Sequence, residues 1–253
     1  MMNIMVNVGS MPIKVVTIDF WNTLFDSSGG ALRNAARMKA LRDAIDQSGL
    51  LCEPEILERS YKAIWEYFDD HWLNHQRTPT SREMVREICR CAQIDLHDKV
   101  VEQVAEVFAR GVLDHPPELL PGAREGVEFL ADRAKLALIS DTAFSPGSVL
   151  RELMESVGVA GYFDIYVFSD ETGVAKPHPE AFRRAYEPLG CLPSEALHIG
   201  DIERTDILGA KSAGMKAMLY KGDTIPHKYA EEHTAADMVI WHWGEIGESL
   251  RLI

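Results

Sequence analysis

The segment from Ile13 to Asp19 limits the fold more than any other part of the chain. Val15, Val16, Thr17 and Ile18 form an apolar, β-branched run without alternation, as in a strand buried on both faces, and it ends on a carboxylate, Asp19, followed by Phe20-Trp21-Asn22-Thr23-Leu24. Such a strand needs helices on both sides, which calls for an open parallel sheet, and these sheets bind ligands beyond their C-terminal strand ends. Asp19 stands at such an end, in a position suited to nucleophilic attack.

Behind it the rhythm changes. From about Ala31 to Leu113 the pattern is helical, with helices expected over 32–48, 54–73, 81–91 and 98–113 and breaks at Gly49, Thr78-Pro79-Thr80 and 94–97. Four helices in a row suggest a bundle. After His115-Pro116-Pro117 and Pro121-Gly122 the chain alternates: helix 123–131, strand 134–140, helix 146–158, strand 164–168, helix 179–189, strand 196–200, helix 205–213, strand 216–219 and strand 238–240. That alternation reads as a parallel sheet with helices on both faces, interrupted after its first strand by the helical module.

Composition narrows the partners. At 253 residues and 46% hydrophobic content the chain has ample material for a packed core. A formal charge of −13 opposes nucleic acid and anionic membrane surfaces. Cys52, Cys89, Cys91 and Cys191 are too few for a disulfide scaffold, so a cytoplasmic, reducing setting is expected for a soluble protein acting as monomer or homodimer. Residues 1–10 have neither a basic start nor membrane length and read as an extension without chemistry.

Three later segments join Asp19. They are Leu138-Ile139-Ser140-Asp141, Gly173-Val174-Ala175-Lys176-Pro177, and His198-Ile199-Gly200-Asp201 with Asp206 beyond it. Together they hold the parts of a phosphoryl-transfer site: Asp19 as nucleophile, Thr23 to orient it or bind an oxygen, Ser140 as hydroxyl donor, Lys176 as cation, and Asp201 with Asp206 as hard oxygen ligands suited to Mg²⁺. Asp19, Asp201 and Asp206 set three negative charges against one positive charge on Lys176, so a divalent cation is expected before a phosphorylated small molecule can enter.

The set resembles the haloacid dehalogenase superfamily, whose order along the chain is strand-end Asp, helical cap, strand-end Ser or Thr, Lys, then an acidic pair. The stretch from Gly200 to Met215 looks like that family's fourth motif, and Lys176-Pro177-His178-Pro179 matches its third. The resemblance implies an α/β fold with a Rossmann-like parallel sheet core, residues 11–27 and 115–253, and an inserted four-helix-bundle-type cap domain, residues 28–114. It also implies Mg²⁺ held by Asp19, the Trp21 carbonyl and Asp201 with Asp206 beside it, and substrate contacts from Thr23, Ser140, Asp141 and Lys176.

One position departs from the pattern. Family phosphatases read Asp-x-Asp-Gly-Thr and use the second Asp to protonate the leaving group, whereas Asp19-Phe20-Trp21-Asn22-Thr23 has an indole there. An indole N–H is no acid near neutral pH, and a missing general acid costs ~10²–10⁴ in rate. The first reading is a metal-dependent phosphatase for leaving groups that need little protonation, or one that takes an acid from elsewhere. A carbon–halogen hydrolase is the second, opposed by the acidic fourth motif, and a metal-binding regulator with little turnover the third. A phosphonate-cleaving relative would need a cap lysine such as Lys39 or Lys62.

Other motifs read blandly. His71 and His75 share a helix spacing but lack a zinc-protease glutamate, and Cys89-x-Cys91 has no second pair, so neither is expected to bind metal. His198 reads as a core residue. Tyr61, Trp65, Phe68 and Trp72 recur at helical spacing, normally a bundle core, with a share in the substrate pocket open to some of them.

Overall fold

A computed structural model of the chain describes residues 12–222 and 233–250. The expectation for residues 1–10 lies outside them. Strand β1 (Val15–Ile18) is buried along its whole length, as are β4 (Ala196–Gly200) and all of β2 (Lys135–Ser140) beyond its first residue. With β3 (Ile165–Phe168), β5 (Lys216–Tyr220) and β6 (Met238–Ile240) they make one sheet in the order β3-β2-β1-β4-β5-β6. Every pairing is parallel. β1 is central because Ile18 lies opposite both Leu138 and Ile199, which brings the ends of β1, β2 and β4 side by side at the point where the strand order reverses.

The sheet is apolar on both faces for a reason visible in β1 itself. Val16 and Ile18 pack into one cluster, built around Phe20, Phe25, Val127, Leu150 and Trp243, and Val15 packs into the other with Ala137, Phe182 and Ile207. The covering helices are α5 (Ala123–Ala131), α6 (Gly147–Ser156), α8 (Pro179–Tyr186) and α9 (Leu208–Ser212), with one-turn helices α7 (Ser169–Thr172) and α10 (Ile246–Ser249).

Between β1 and α5 come α1 (Gly30–Gln47), α2 (Pro54–Asp69), α3 (Ser81–Cys91) and α4 (Asp98–Asp114). α1 packs on α4, α4 on α3 and α3 on α2. Their shared cluster, including Leu41, Ile64, Met84, Ile88, Val101 and Phe108, also takes in Phe144 and Ala175 from the loops after β2 and α7. Residues 72–81 tie the module to the sheet: Ala175 N–H donates to the Gln76 carbonyl at 2.7 Å, Arg204 Nη2 to the Leu73 carbonyl at 3.0 Å, and the Ser81 hydroxyl to the Phe144 carbonyl. No helix among the described residues is long and apolar enough to cross a membrane.

Candidate active site

The C-terminal ends of β1, β2 and β4 open into a cavity of about 370 Å³ whose other wall is the helical module. Asp19, Trp21, Asp141, Lys176, Asp201 and Asp206 all line it. Thr23 and Ser140 come to the same strand ends but are fully buried just behind that wall.

Asp19 extends the ladder by one more bond, its N–H donating to the Ile199 carbonyl at 2.9 Å, so its carboxylate leaves the sheet in a fixed direction. The loop behind it turns back tightly, with the N–H groups of Leu24 and Phe25 donating to the Phe20 carbonyl. Asn22 adopts a left-handed conformation, φ 58°, which Asn tolerates better than most residues. Trp243 closes the loop from behind, its indole N–H donating to the Thr23 carbonyl at 2.9 Å.

Lys176, 2% exposed, is the electrostatic centre. Its ammonium donates to Asp19 Oδ1, to Asp206 Oδ1 at 2.7 Å and to the Ile139 carbonyl at 3.4 Å, so each of its three protons has an acceptor. Burial alone would discharge this lysine, but Asp19 and Asp206 keep it charged. Asp206 in turn accepts from Ile202 N–H at 3.0 Å and pairs with His198 Nε2 at 3.0 Å. Burial would raise Asp206, yet Lys176 and His198 hold it well below the usual carboxylate range. His198 is wholly buried, with Nδ1 2.7 Å from the Thr17 hydroxyl. Burial lowers its pKa, so a neutral ring steadies Asp206 from beneath the sheet edge, a role beyond the core packing expected for it.

The remaining carboxyls are short of positive charge. Burial pushes Asp19 up to about 7 against the pull of Lys176. Asp201, whose Oδ1 lies 3.5 Å from the Thr23 hydroxyl, is raised well above its ordinary value by burial and then by the charges of Asp19 and Asp206. Among the described residues no three His, Cys, Asp or Glu side chains form a metal cage by themselves. The donor set instead suits an ion that takes one or two carboxylates and completes its shell with carbonyl oxygen and water, which is how Mg²⁺ is usually held. The Ser140 hydroxyl, 1% exposed, has no hydrogen-bond partner among the described residues, an open donor at the end of β2.

Asp141 is committed differently. Its Oδ1 accepts from Lys176 N–H at 2.9 Å and its Oδ2 from the Trp72 indole N–H at 2.9 Å, so one carboxylate links the sheet to the helical module. Burial raises it to about 6, opposed by Lys176.

Several cavity residues escaped the sequence reading: Arg33, Asn34 and Arg37 on α1, and Phe144 and Ser145 after β2. The signal was present in α1, where Arg33 and Arg37 continue the buried face of Leu41, Ala44 and Ile45, four residues apart on what should be an apolar stripe. Of the aromatic series, Tyr61, Phe68 and Trp72 are buried, and Trp65, 38% exposed, lines the cavity with Phe68 and Trp72. His71 is half-buried with Nδ1 2.8 Å from the Tyr67 carbonyl, His75 is exposed beside Asp70, and Cys91 donates to Glu87. Lys39 pairs with Asp43 on the surface and Lys62 is exposed, so neither supplies a cavity lysine.

Comparison with known proteins gives the family and the fold. The model of a family described as haloacid dehalogenase-like hydrolase matches residues 13–214. The chain is 27% identical over 241 residues to the glyceraldehyde 3-phosphate phosphatase of Pyrococcus furiosus, covering 94% of this chain and 93% of that protein. Among solved structures, the 2-haloacid dehalogenase of Pseudomonas syringae superposes with a TM-score of 0.66 at 24% identity, covering 95% of this chain and 99% of that one. The magnesium-bound HAD-hydrolase YfnB of Bacillus subtilis superposes with a TM-score of 0.64 at 18% identity, covering 94% and 99%.

Proposed function

Starting from a chain that belongs to the haloacid dehalogenase-like hydrolase family, we propose that it is a Mg²⁺-dependent phosphatase acting on a small phosphorylated metabolite through an aspartyl-phosphate on Asp19. The observation that carries this reading is the sharing of one buried ammonium, Lys176, between Asp19 and Asp206 in the wall of the cavity. Lys176 keeps the Asp19 carboxylate available as nucleophile against a burial that would protonate it. Support also comes from the extended match to a protein named as a phosphatase.

In this reading Asp19 attacks phosphorus in line with the leaving oxygen, the bond to the leaving group breaks, and water then hydrolyses the acyl phosphate. Lys176 would exchange its 3.4 Å bond to the Ile139 carbonyl for a phosphoryl oxygen, the unpartnered Ser140 hydroxyl at the end of β2 offers a second donor there, and Thr23 positions Asp201. Asp19, Asp201 and the Trp21 carbonyl, with Asp206 beside them, would hold Mg²⁺, which supplies the charge that lets a dianionic substrate approach four carboxyl groups. Residues 28–114 act as a cap that keeps bulk water from the cavity.

The position that carries the leaving-group acid in family phosphatases is occupied here by Trp21. Trp21 is not an acid, and both oxygens of Asp141 already accept hydrogen bonds, which marks it as a clamp between cap and sheet. The enzyme is therefore suited to leaving groups that depart as stable anions, such as aryl and acyl phosphates. Phosphate release from acetyl phosphate and a series of aryl phosphates is expected to require Mg²⁺, to stop with chelator, and to fall steeply as the leaving group becomes more basic. Halide release from 2-haloacids in the presence of chelator, with no phosphate release, overturns the reading.

A further inference from the structure

The cavity wall formed by α1 carries two buried cations that the phosphoryl chemistry does not use. Arg33 and Arg37 are each 6% exposed and both line the cavity, yet neither forms an ion pair with a carboxylate of the described residues. A buried charge without a counter-charge is costly, and every acidic residue of the cavity wall stands on the sheet side.

The two arginines are held differently. Arg33 is spent on the backbone: Nη1 donates at 2.7 Å to both the Ser28 and His115 carbonyls, pinning the two crossings between module and sheet. Arg37 lies 4.3 Å over the Phe144 ring. Nε and Nη2 donate to the Phe108 carbonyl at 3.4 and 3.2 Å, and Nη1 donates to Asn34 Oδ1 at 3.3 Å. Those bonds engage three of the five guanidinium N–H groups and the Tyr61 hydroxyl lies beside the same guanidinium, so part of the fork is left for a ligand in the cavity that Arg37 lines. Asn34 is itself fixed by the Tyr61 hydroxyl, 2.9 Å away, so the fork is oriented before any ligand arrives.

We propose that Arg37 is the specificity residue of this cavity and binds a second anionic group of the substrate, a carboxylate, while the aromatic side chains of Trp65, Phe68 and Phe144 cover the body that joins it to the phosphoryl group. A planar carboxylate is the smallest group that matches a guanidinium fork edge to edge. The cavity volume suits a body of a few carbon atoms or a single ring, and the substrate class is then a phosphorylated carboxylic acid. This deepens the phosphatase reading of the same cavity and rests on it for the identity of the other end of the ligand.

The test uses the full chain with Mg²⁺ and two matched sets of probes. Phenylphosphonate and its 3- and 4-carboxy derivatives measure binding by calorimetry without turnover. The corresponding aryl phosphates, whose phenol leaving groups have similar acidity, measure kcat and KM. At least one carboxylated phosphonate is expected to bind the wild-type protein about 10- to 100-fold more tightly than phenylphosphonate, the size expected for a charge-assisted pair. Arg37→Met should erase that ratio and Arg37→Lys restore part of it, with the loss in KM rather than kcat. Equal binding of all the phosphonates by wild type overturns the proposal without recourse to any variant, and so does an Arg37→Met variant that keeps the ratio. An Arg37-dependent preference among phosphonates in a protein that hydrolyses none of the phosphates supports the anion site while refuting the phosphatase reading. Turnover without carboxylate preference does the reverse.

Discussion

At Gly200 the presence of a single methyl group decides whether Asp206 can hold its place. A Cβ on Gly200 would collide with the Asp206 carboxyl, so only glycine lets that side chain fold back against β4 and reach Lys176. Gly200→Ala is expected to lower kcat/KM about 100-fold while near-UV circular dichroism stays native, since small displacements of positioned groups cost that much; full activity would show that the Asp206 contact is dispensable. Asp19→Asn removes the proposed nucleophile yet leaves Lys176 its bond to Asp206. Turnover should fall by about 10⁴-fold or more with the melting temperature little changed, and unaltered phosphate release would exclude Asp19 from the chemistry.

Helix α3 begins with a reciprocal cap: the Thr80 hydroxyl accepts from Glu83 N–H at 3.2 Å and the Glu83 carboxylate accepts from Thr80 N–H at 2.8 Å. Thr80→Ala should cost about 1 kcal/mol in urea unfolding, and because residues 72–81 carry the ties to the sheet, it should also loosen the cavity wall. This start was legible, since Pro79-Thr80 before an amphipathic run leaves few alternatives, and α3, α5, β4 and β6 fall where the pattern places them. The central strands β1, β2 and β4 were legible because strands buried on both faces can hold little besides apolar residues. Less legible were the places where a helix changes its winding. The helix expected over 54–73 becomes α2 followed by a wide turn, Asp70–Asn74, that carries Trp72 toward Asp141, and the one expected from 205 opens with another, Glu203–Ile207, that presents Asp206. Hydrophobic periodicity does not register an extra residue per turn. The arginines of α1 were missed for a different reason: charge on a helix is ordinarily taken for a solvated face, and only their spacing from Leu41 and Ile45 contradicts that.

Across the whole molecule, distant segments converge on the loop that follows Asp19. Trp243 is fully buried, packs against Gly126, and hydrogen-bonds the Thr23 carbonyl 220 residues away in sequence. Trp243→Phe should lose about 1–3 kcal/mol through the unpaired carbonyl and lower activity with it, whereas Trp241→Phe at a 56% exposed site should stay within about 0.5 kcal/mol; thermal unfolding of the pair separates a buttress from a bystander. β1 likewise finds its neighbours only in β2 and β4. A ribosome that has delivered Asp19 must therefore go on to make most of the polypeptide before that carboxyl has either a sheet to stand in or a lock behind it. The nascent protein stays chemically idle through most of its own synthesis.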